Sequence, residues 1–463
     1  MIADLKPYPE YKASGLPWLG QVPGHWETRR MKFLFEERVQ KGFPDEPLLA
    51  ATQSKGVVRK KDYGARTVTA MKDLHLLKLV VEGDFVISLR SFQGGIEVTH
   101  ARGIISPAYT ILTPRHEAIR SYYTRFFKSP DFISSLTLFV TGIREGQNID
   151  YERLSRTYLP LPPVEEQQAI GVFLDWANGR LERAIRAKLK VIALLNEQKQ
   201  AIIHRAVTRG LDPSVPLKPS GIPWLGDIPR HWEVRRLKFV ASRIVDCLHA
   251  TPRYSDSGSH PAIRTADVSP GVVHLAGAKR ISSTEYVRWT ARLAPREDDI
   301  LYSREGERFG IAACVPASVK LCISQRMMVF RIGDDDCSTF VMRVLNSQPT
   351  YGQALQDVMG ATAPHVNIST IRNYFLALPN KQEQEAIIAH VDSETCPIDI
   401  AISRLEREVD LLREYRTRLV ADVVTGKLDV REAAGRLPED TALDNGDSDP
   451  DLDAELADEA AEA

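Results

Sequence analysis

The 463-residue chain has no uninterrupted apolar run of about eighteen residues, so no segment reads as a membrane-spanning helix. Its opening, Met1-Ile-Ala-Asp-Leu-Lys6, has neither the basic start nor the apolar stretch of a secretory signal. Cysteine is scarce. The five present (Cys247, Cys314, Cys322, Cys337 and Cys396) all fall in the second half and never as Cys-x-x-Cys, so neither a disulfide framework nor a structural zinc site is spelled. A reducing cytoplasm is the expected location. Catalytic signatures are missing too: no Walker loop, no Gly-x-Gly-x-x-Gly, no His-Glu-x-x-His, no Gly-x-Ser-x-Gly elbow and no Asn-Pro-Pro-aromatic tetrad for a flipped adenine. The chain is expected to carry no catalytic residue, to hold no metal and to bind no cofactor of its own.

Charge is balanced only on paper. Of the 61 acidic residues, eleven lie in Pro438 to Ala463, which contains no Lys or Arg and no aromatic residue. That segment reads as a disordered acidic tail that aids solubility. Without it, 60 basic residues face 50 acidic ones. A folded body this basic suggests a polyanionic partner, with an ordinary solvated surface as the plainer alternative.

What is present in abundance is repetition. Ser14 to Phe33 and Ser220 to Phe239 are identical at 14 of 20 positions at a constant offset of 206. Leu161 to Ile170 echoes Leu378 to Ile387, and Val207-Thr208 echoes Val424-Thr425, both at an offset of 217. The chain is a tandem duplication whose frames are kept and whose interiors have diverged, as expected if the interiors recognise two different things. In the frames, His25 beside Trp26 and His231 beside Trp232 read as packed, hydrogen-bonded structural residues, and Trp18 and Trp224 as core anchors.

Two long helices are expected at the repeat edges. The first runs from about Val164, behind Pro162-Pro163, to Thr208, with Gly210 as its stop. Leu181, Ile185, Ile192, Leu195 and Ile202 form its heptad seam. The second runs from about Gln382 to Thr425 with Ile398, Ile402, Leu405, Val409, Leu412 and Leu419 in the seam, and Pro397 predicts a break or kink near Thr395-Cys396. Helices this long, rising roughly 65 Å, have charged outer faces, so each seam is expected to bury itself on the other helix.

Between the frames the pattern is strand-rich. Lys55, Arg59, Lys60, Lys61, Tyr63 and Arg66 crowd one loop-like stretch, where cations neutralise phosphates and Tyr stacks or donates. Ser88, Arg90, Ser91 and Gln93 follow a strand and lead to Gly94-Gly95, where missing side chains let the backbone approach a ligand. Arg304, Glu305, Arg308, Ser324, Gln325 and Arg326 are the counterparts in the second half, and His365 and Asn367 sit in a loop ahead of its last strand. Arg and Gln read guanine and adenine edges through paired hydrogen bonds. Each residue alone is better explained by solubility or an internal salt bridge. Two parallel clusters on a basic duplicated body favour nucleic acid.

The paired "Gly-Leu/Ile-Pro-Trp-Leu-Gly-x-x-Pro-x-His-Trp" frames, the "Gly-Asp-Phe-Val-Ile-Ser…Ser-Phe-Gln-Gly-Gly" and "Asp-Ile-Leu-Tyr-Ser-Arg…Ser-Gln-Arg" strands and the "Leu-Pro-Leu-Pro-Pro…Glu-Gln-Gln-Ala-Ile" helix start carry a resemblance. Over about residues 10 to 435 the chain resembles the specificity subunit of type I restriction-modification systems. The resemblance implies an α+β fold in pseudo-twofold duplication: two strand-rich target-recognition domains, each reading half of a bipartite double-stranded DNA sequence, separated by two conserved helices in an antiparallel coiled coil. The boundaries are then 1–160 for the first recognition domain, 161–210 for the first spacer helix, 211–377 for the second domain, 378–437 for the second helix and 438–463 for the tail. It further implies two modification subunits bearing the adenine-methylating, S-adenosylmethionine-dependent activity, with restriction subunits beyond them. A coiled-coil scaffold without DNA readout and a self-contained DNA-modifying enzyme are the alternatives.

Overall fold

The computed structural model describes residues 5–52, 56–62, 73–142, 148–306, 308–356, 358–359 and 365–437. The chain divides into two units: Met1–Val191 with Arg404–Ala463, and Ile192–Ser403. The first unit is made of two separate stretches and the second is the continuous stretch between them. Each takes one half of the first long helix and one half of the second.

In chain order the elements that matter are as follows. The first unit has β1 (Glu27–Arg30), β2 (Phe35–Glu37), β3 (Phe85–Ile87), β4 (Glu97–Val98), β5 (Thr110–Pro114) and β6 (Tyr158–Leu161), leading into α1 (Val164–Arg209). The second has β7 (Glu233–Arg236), β8 (Ala241–Asp246), β9 (Ile300–Ser303), β10 (Ala312–Cys314), β11 (Met327–Ile332) and β12 (Phe375–Leu378), leading into α2 (Lys381–Val424). The main sheet of the first unit runs β2-β5-β3-β4, antiparallel throughout, and that of the second runs β8-β11-β9-β10. The order is the same twice. β6 pairs with β1 and β12 with β7, so each frame strand is closed by the strand that launches a long helix.

The strands form where apolar residues run without interruption: Phe85, Val86 and Ile87 are all buried, as are Ile300 to Ser303. Such fully buried short runs suit strands covered on both faces. The first core is aromatic, with Trp26, Phe35, Phe85, Tyr122, Tyr123, Phe126, Phe127 and Phe132 in one cluster. The second is leaner, built on Trp232, Tyr302, Met328, Phe330, Phe340 and Tyr374. The carboxylate in front of the central strand is kept but its partner has moved. Asp84 is gripped by Arg38 (2.8 and 3.2 Å) and Thr113, whereas Asp299 is gripped by Arg331 (2.8 and 2.7 Å), which occupies the register position of Thr113.

The two helices share their seam. Lys188 pairs with Glu408 in the first unit and Lys199 with Asp399 in the second, so the helices run antiparallel. Leu181, Ile185, Ile398, Ile402, Val409 and Leu419 are buried, and Ile192, Leu195, Ile202, Leu405 and Leu412 are half-buried. The expected break at Thr395-Cys396 does not occur, since α2 continues through Pro397. Pro397 lies on the exposed side of the helix, and the burial of its neighbours Thr395 (4 % exposed), Ile398 and Ile402 offsets the one ladder bond it removes.

A repeated node locks each helix start. Glu166, in the first turn of α1, accepts hydrogen bonds from Tyr8 Oη (2.5 Å), His25 Nε2 (2.7 Å) and Trp26 Nε1 (2.8 Å). Glu383, in the first turn of α2, accepts from His231 Nε2 (2.8 Å) and Trp232 Nε1 (3.0 Å). The carboxylates also complement the positive helix ends. The same tryptophans receive the far ends of the other helices. Gly426, at φ +78° after α2, would put a Cβ 2.4 Å from Pro23 and 3.0 Å from the Trp26 ring, so only glycine fits. His25 and His231 are thus the structural residues the sequence suggested.

Candidate nucleic-acid interface

Beyond the carboxyl end of β3 the first unit builds a small tip. Ser91 Oγ accepts from Ser88 N (2.9 Å) and Ser88 Oγ from Arg90 N (3.3 Å), which folds Ser91–Gly94 into one helical turn. Lys128 Nζ donates to the Gly94 carbonyl (2.8 Å), and Gly95, at φ +85°, lies so close to the Phe127 carbonyl that a Cβ would approach it to 2.3 Å. Ser88, Ser91, Gly94 and Gly95 are therefore scaffold. The side chains left at the surface are Arg90 and Gln93, with Leu89 between scaffold and solvent at 42 % exposure. Burial pushes the Glu97 carboxyl behind this tip up to about 7, against the opposing pull of Lys128.

The hairpin Leu49–Thr52 with Gly56–Arg59 joins the same half of the unit through a bridge between Val57 and Thr99. Arg59 and Lys61 are exposed and Lys60 half-buried. Lys55, Tyr63 and Arg66 lie outside the described residues.

In the second unit the candidates gather more tightly. Arg304 donates from its backbone to the Arg326 carbonyl (2.9 Å), Val366 N donates to the Arg304 carbonyl (3.2 Å), and Glu305 bridges to His365. One tip thus collects residues 304–305, 324–326 and 365–367. The Arg304 side chain, 9 % exposed, is folded inward onto Asp246 and Glu305. Ser324 is buried with its Oγ 3.1 Å from Tyr254 Oη. Gln325 and Arg326 are exposed, and Gln325 Nε2 donates to Thr251 Oγ1 (2.9 Å). Arg308 stands apart, donating to the Val268 carbonyl (2.8 Å).

Sequence reading missed Asp246, His249, Thr251, Tyr254 and Lys279. His249 caps Asp246 (3.1 Å) and Lys279 lies 4.9 Å above the Tyr254 ring. Asp246 ends β8, and the others lie in or beside a second sheet of His260–Ile263, Arg280–Ile281 and Cys322–Ile323 with a small core at Trp289 and Cys322. The alternation of Arg253 and Tyr254 was the available signal. Trp224 also differs from expectation. Where Trp18 packs on Phe126 and Phe132, Trp224 meets the smaller Gln348, Pro349 and Gly352 and lines a recess of about 320 Å³.

The frames carry a second exposed feature. Arg30 lies 5.3 Å over Tyr158 and Lys32 5.2 Å over Phe33; Arg236 lies 5.0 Å over Phe375 and Lys238 5.1 Å over Phe239. Among the described residues no three His, Cys, Asp or Glu side chains converge as a metal site would require, and no helix is long and apolar enough to cross a membrane.

No family model matches the chain. It is 22 % identical over 361 residues to the type I restriction enzyme MjaVIII specificity subunit of Methanocaldococcus jannaschii, covering 76 % of this chain and 81 % of that one. It is 20 % identical over 327 residues to the type I restriction enzyme EcoKI specificity subunit of Escherichia coli K12, covering 69 % and 68 %. A solved chain described as the structural basis of complex assembly and conformational transition of the type I R-M system superposes with a TM-score of 0.60 at 16 % identity, covering 88 % of this chain and 99 % of that one. By sequence over most of its length and by fold over nearly all of it, the chain is similar to the specificity subunits of type I restriction-modification systems.

Proposed function

We propose that the chain reads a bipartite double-stranded DNA target, one half with each unit, and presents that DNA to modification and restriction subunits that carry the chemistry. The observation that carries this reading is one sheet built twice in the same strand order, with unlike polar side chains at the same end: the donors Arg90 and Gln93 in one tip, the donors Gln325 and Arg326 with the acceptor Glu305 in the other. A repeated scaffold with different polar side chains is what reading two different half-sites requires. The exposed Arg59 and Lys61, with the cations of the frames, supply sequence-independent attraction to phosphates. S-adenosylmethionine then belongs to the modification subunits, two per chain to match the two frames, and this chain contributes position and no bond-making group.

Mapping methylated adenines in a host with and without the gene tests the reading: a two-part motif is expected only when the gene is present. Exchanging residues 34 to 158 for those of a relative is expected to alter one half of the motif, and a change in both halves would refute the assignment. Incubating the isolated chain with labelled S-adenosylmethionine and DNA is expected to give no transfer. Turnover there would favour the self-contained enzyme instead.

A further inference from the structure

We infer that the second unit reads a guanine through Arg326, a residue held for that purpose in a backbone conformation costly for arginine, and that buried Arg304 positions it. The inference rests on the reading of the chain as a DNA-specificity subunit. Four described non-glycine residues have positive φ: Asp73, Asp298, Ser318 and Arg326 (+67°). The first three are short polar side chains of the kind that tolerate the left-handed region, and arginine is not. A glycine would occupy the position without strain. The side chain is therefore there for something other than the turn.

Its surroundings say what that is. The Arg326 carbonyl accepts from Arg304 N (2.9 Å) and the next carbonyl, that of Met327, accepts from Cys247 N (3.1 Å), so the backbone beneath Arg326 is fixed. Arg304 pairs with Glu305, whose other oxygen lies 3.9 Å from Arg326 Nε. One carboxylate thus stands between two guanidiniums. The buried Arg304 anchors it, and Arg326, half exposed at 51 %, is steered by it without being neutralised in a close pair. Gly306, at φ +87°, turns the chain beside Arg326 in a conformation that favours glycine. A guanidinium fork steered this way matches the O6 and N7 acceptors of guanine in the major groove.

The first unit supplies an internal control. Register across the central strands pairs Phe85 with Leu112 and Ile300 with Phe330, which places Ala108 where Arg326 stands and Arg90 where Glu305 stands. The cation has changed sides of the tip. In the first unit it projects from the strand end and the facing turn carries only a methyl group; in the second the strand end is acidic and the turn carries the cation. The two tips therefore approach their base pairs with a guanidinium from opposite sides.

The test uses the whole complex of this chain with its modification subunits and a pool of duplexes randomised within the two-part motif. Arg326→Gly is the informative variant, because it removes the fork and relieves the backbone, so its melting temperature is expected to equal or exceed that of the unaltered chain. It is expected to lose about tenfold or more discrimination at one guanine of one half-site, leaving the other half-site intact. Arg326→Lys is expected to lose discrimination at that position too, since a point charge cannot replace the fork. Arg304→Met is expected to blur that same guanine while binding to unrelated DNA, a readout of phosphate contact, stays unchanged. Weakening of all sequences alike by Arg326→Gly, an unchanged motif, or a second half-site with no guanine would each overturn the inference. Failure of the unaltered complex to select any two-part motif would instead sink the underlying functional reading.

Discussion

Glu166 collects three donors in a site where it is 3 % exposed, and each would be left unpaired by its loss. Glu166→Ala is therefore expected to destabilise the first unit by roughly 3 kcal/mol, read as a shift in the urea midpoint at constant slope. Its twin Glu383 has two donors and is 29 % exposed, so Glu383→Ala is expected to cost only about 1 kcal/mol. Glu97 gives a pH signature. Burial raises its carboxyl from 4.5 to about 7, so the fold favours the neutral acid. Its contribution is whole below 4.5 and is lost as pH rises through about 7. Melting of the first unit is expected to fall across that window, and Glu97→Gln to flatten the dependence. At this scale the sequence was partly legible. It marked the His-Trp dipeptides as structural because a repeated Pro/Gly turn with indole and imidazole has no exposed role to repeat. It placed Arg304 beside its true neighbours but not its direction, because a strand-end arginine can turn inward only when Asp246, far away in sequence, is there to meet it.

The long helices are legible as elements for a plain reason: heptad seams, a proline start and glycine stops are local signals. Pro397 misled because the compensating burial of Thr395, Ile398 and Ile402 is tertiary. What local signals cannot reveal is that the halves of the helices are exchanged between units. Leu419, Val423, Val424 and Val430 belong to the core that contains Trp26 and Tyr122, and Tyr122 Oη donates to the Val424 carbonyl at 2.6 Å. A chain cut after Ser403 is therefore expected to lose protection in the first unit, although residues 5–191 are intact. Hydrogen exchange at residues 119–127 would measure it, and unchanged protection there would show the core to be self-sufficient.

For the molecule as a whole, the duplication and its resemblance to a known family were readable from twenty-residue frames, whereas the identical sheet order was not, since the interiors that build it have diverged. Removing one heptad from α1 and the facing heptad from α2 is expected to change the unread gap in the methylated motif and leave both half-sites as they were; an unaltered gap would dissociate helix length from target spacing. One small contact reaches further. Lys6 bridges to Asp429, and Asp429 N donates to the Lys6 carbonyl at 2.8 Å. By the two repeat offsets, 206 and 217, both of these residues correspond to the single residue Asp212 of the second unit. A seam in one unit is thus unbroken chain in the other, and the fold has the topology of a ring that happens to be opened at one of two equivalent places. Sealing residue 437 to residue 5 and opening the chain between residues 211 and 216 should give a molecule that begins with its second reader and still closes on itself.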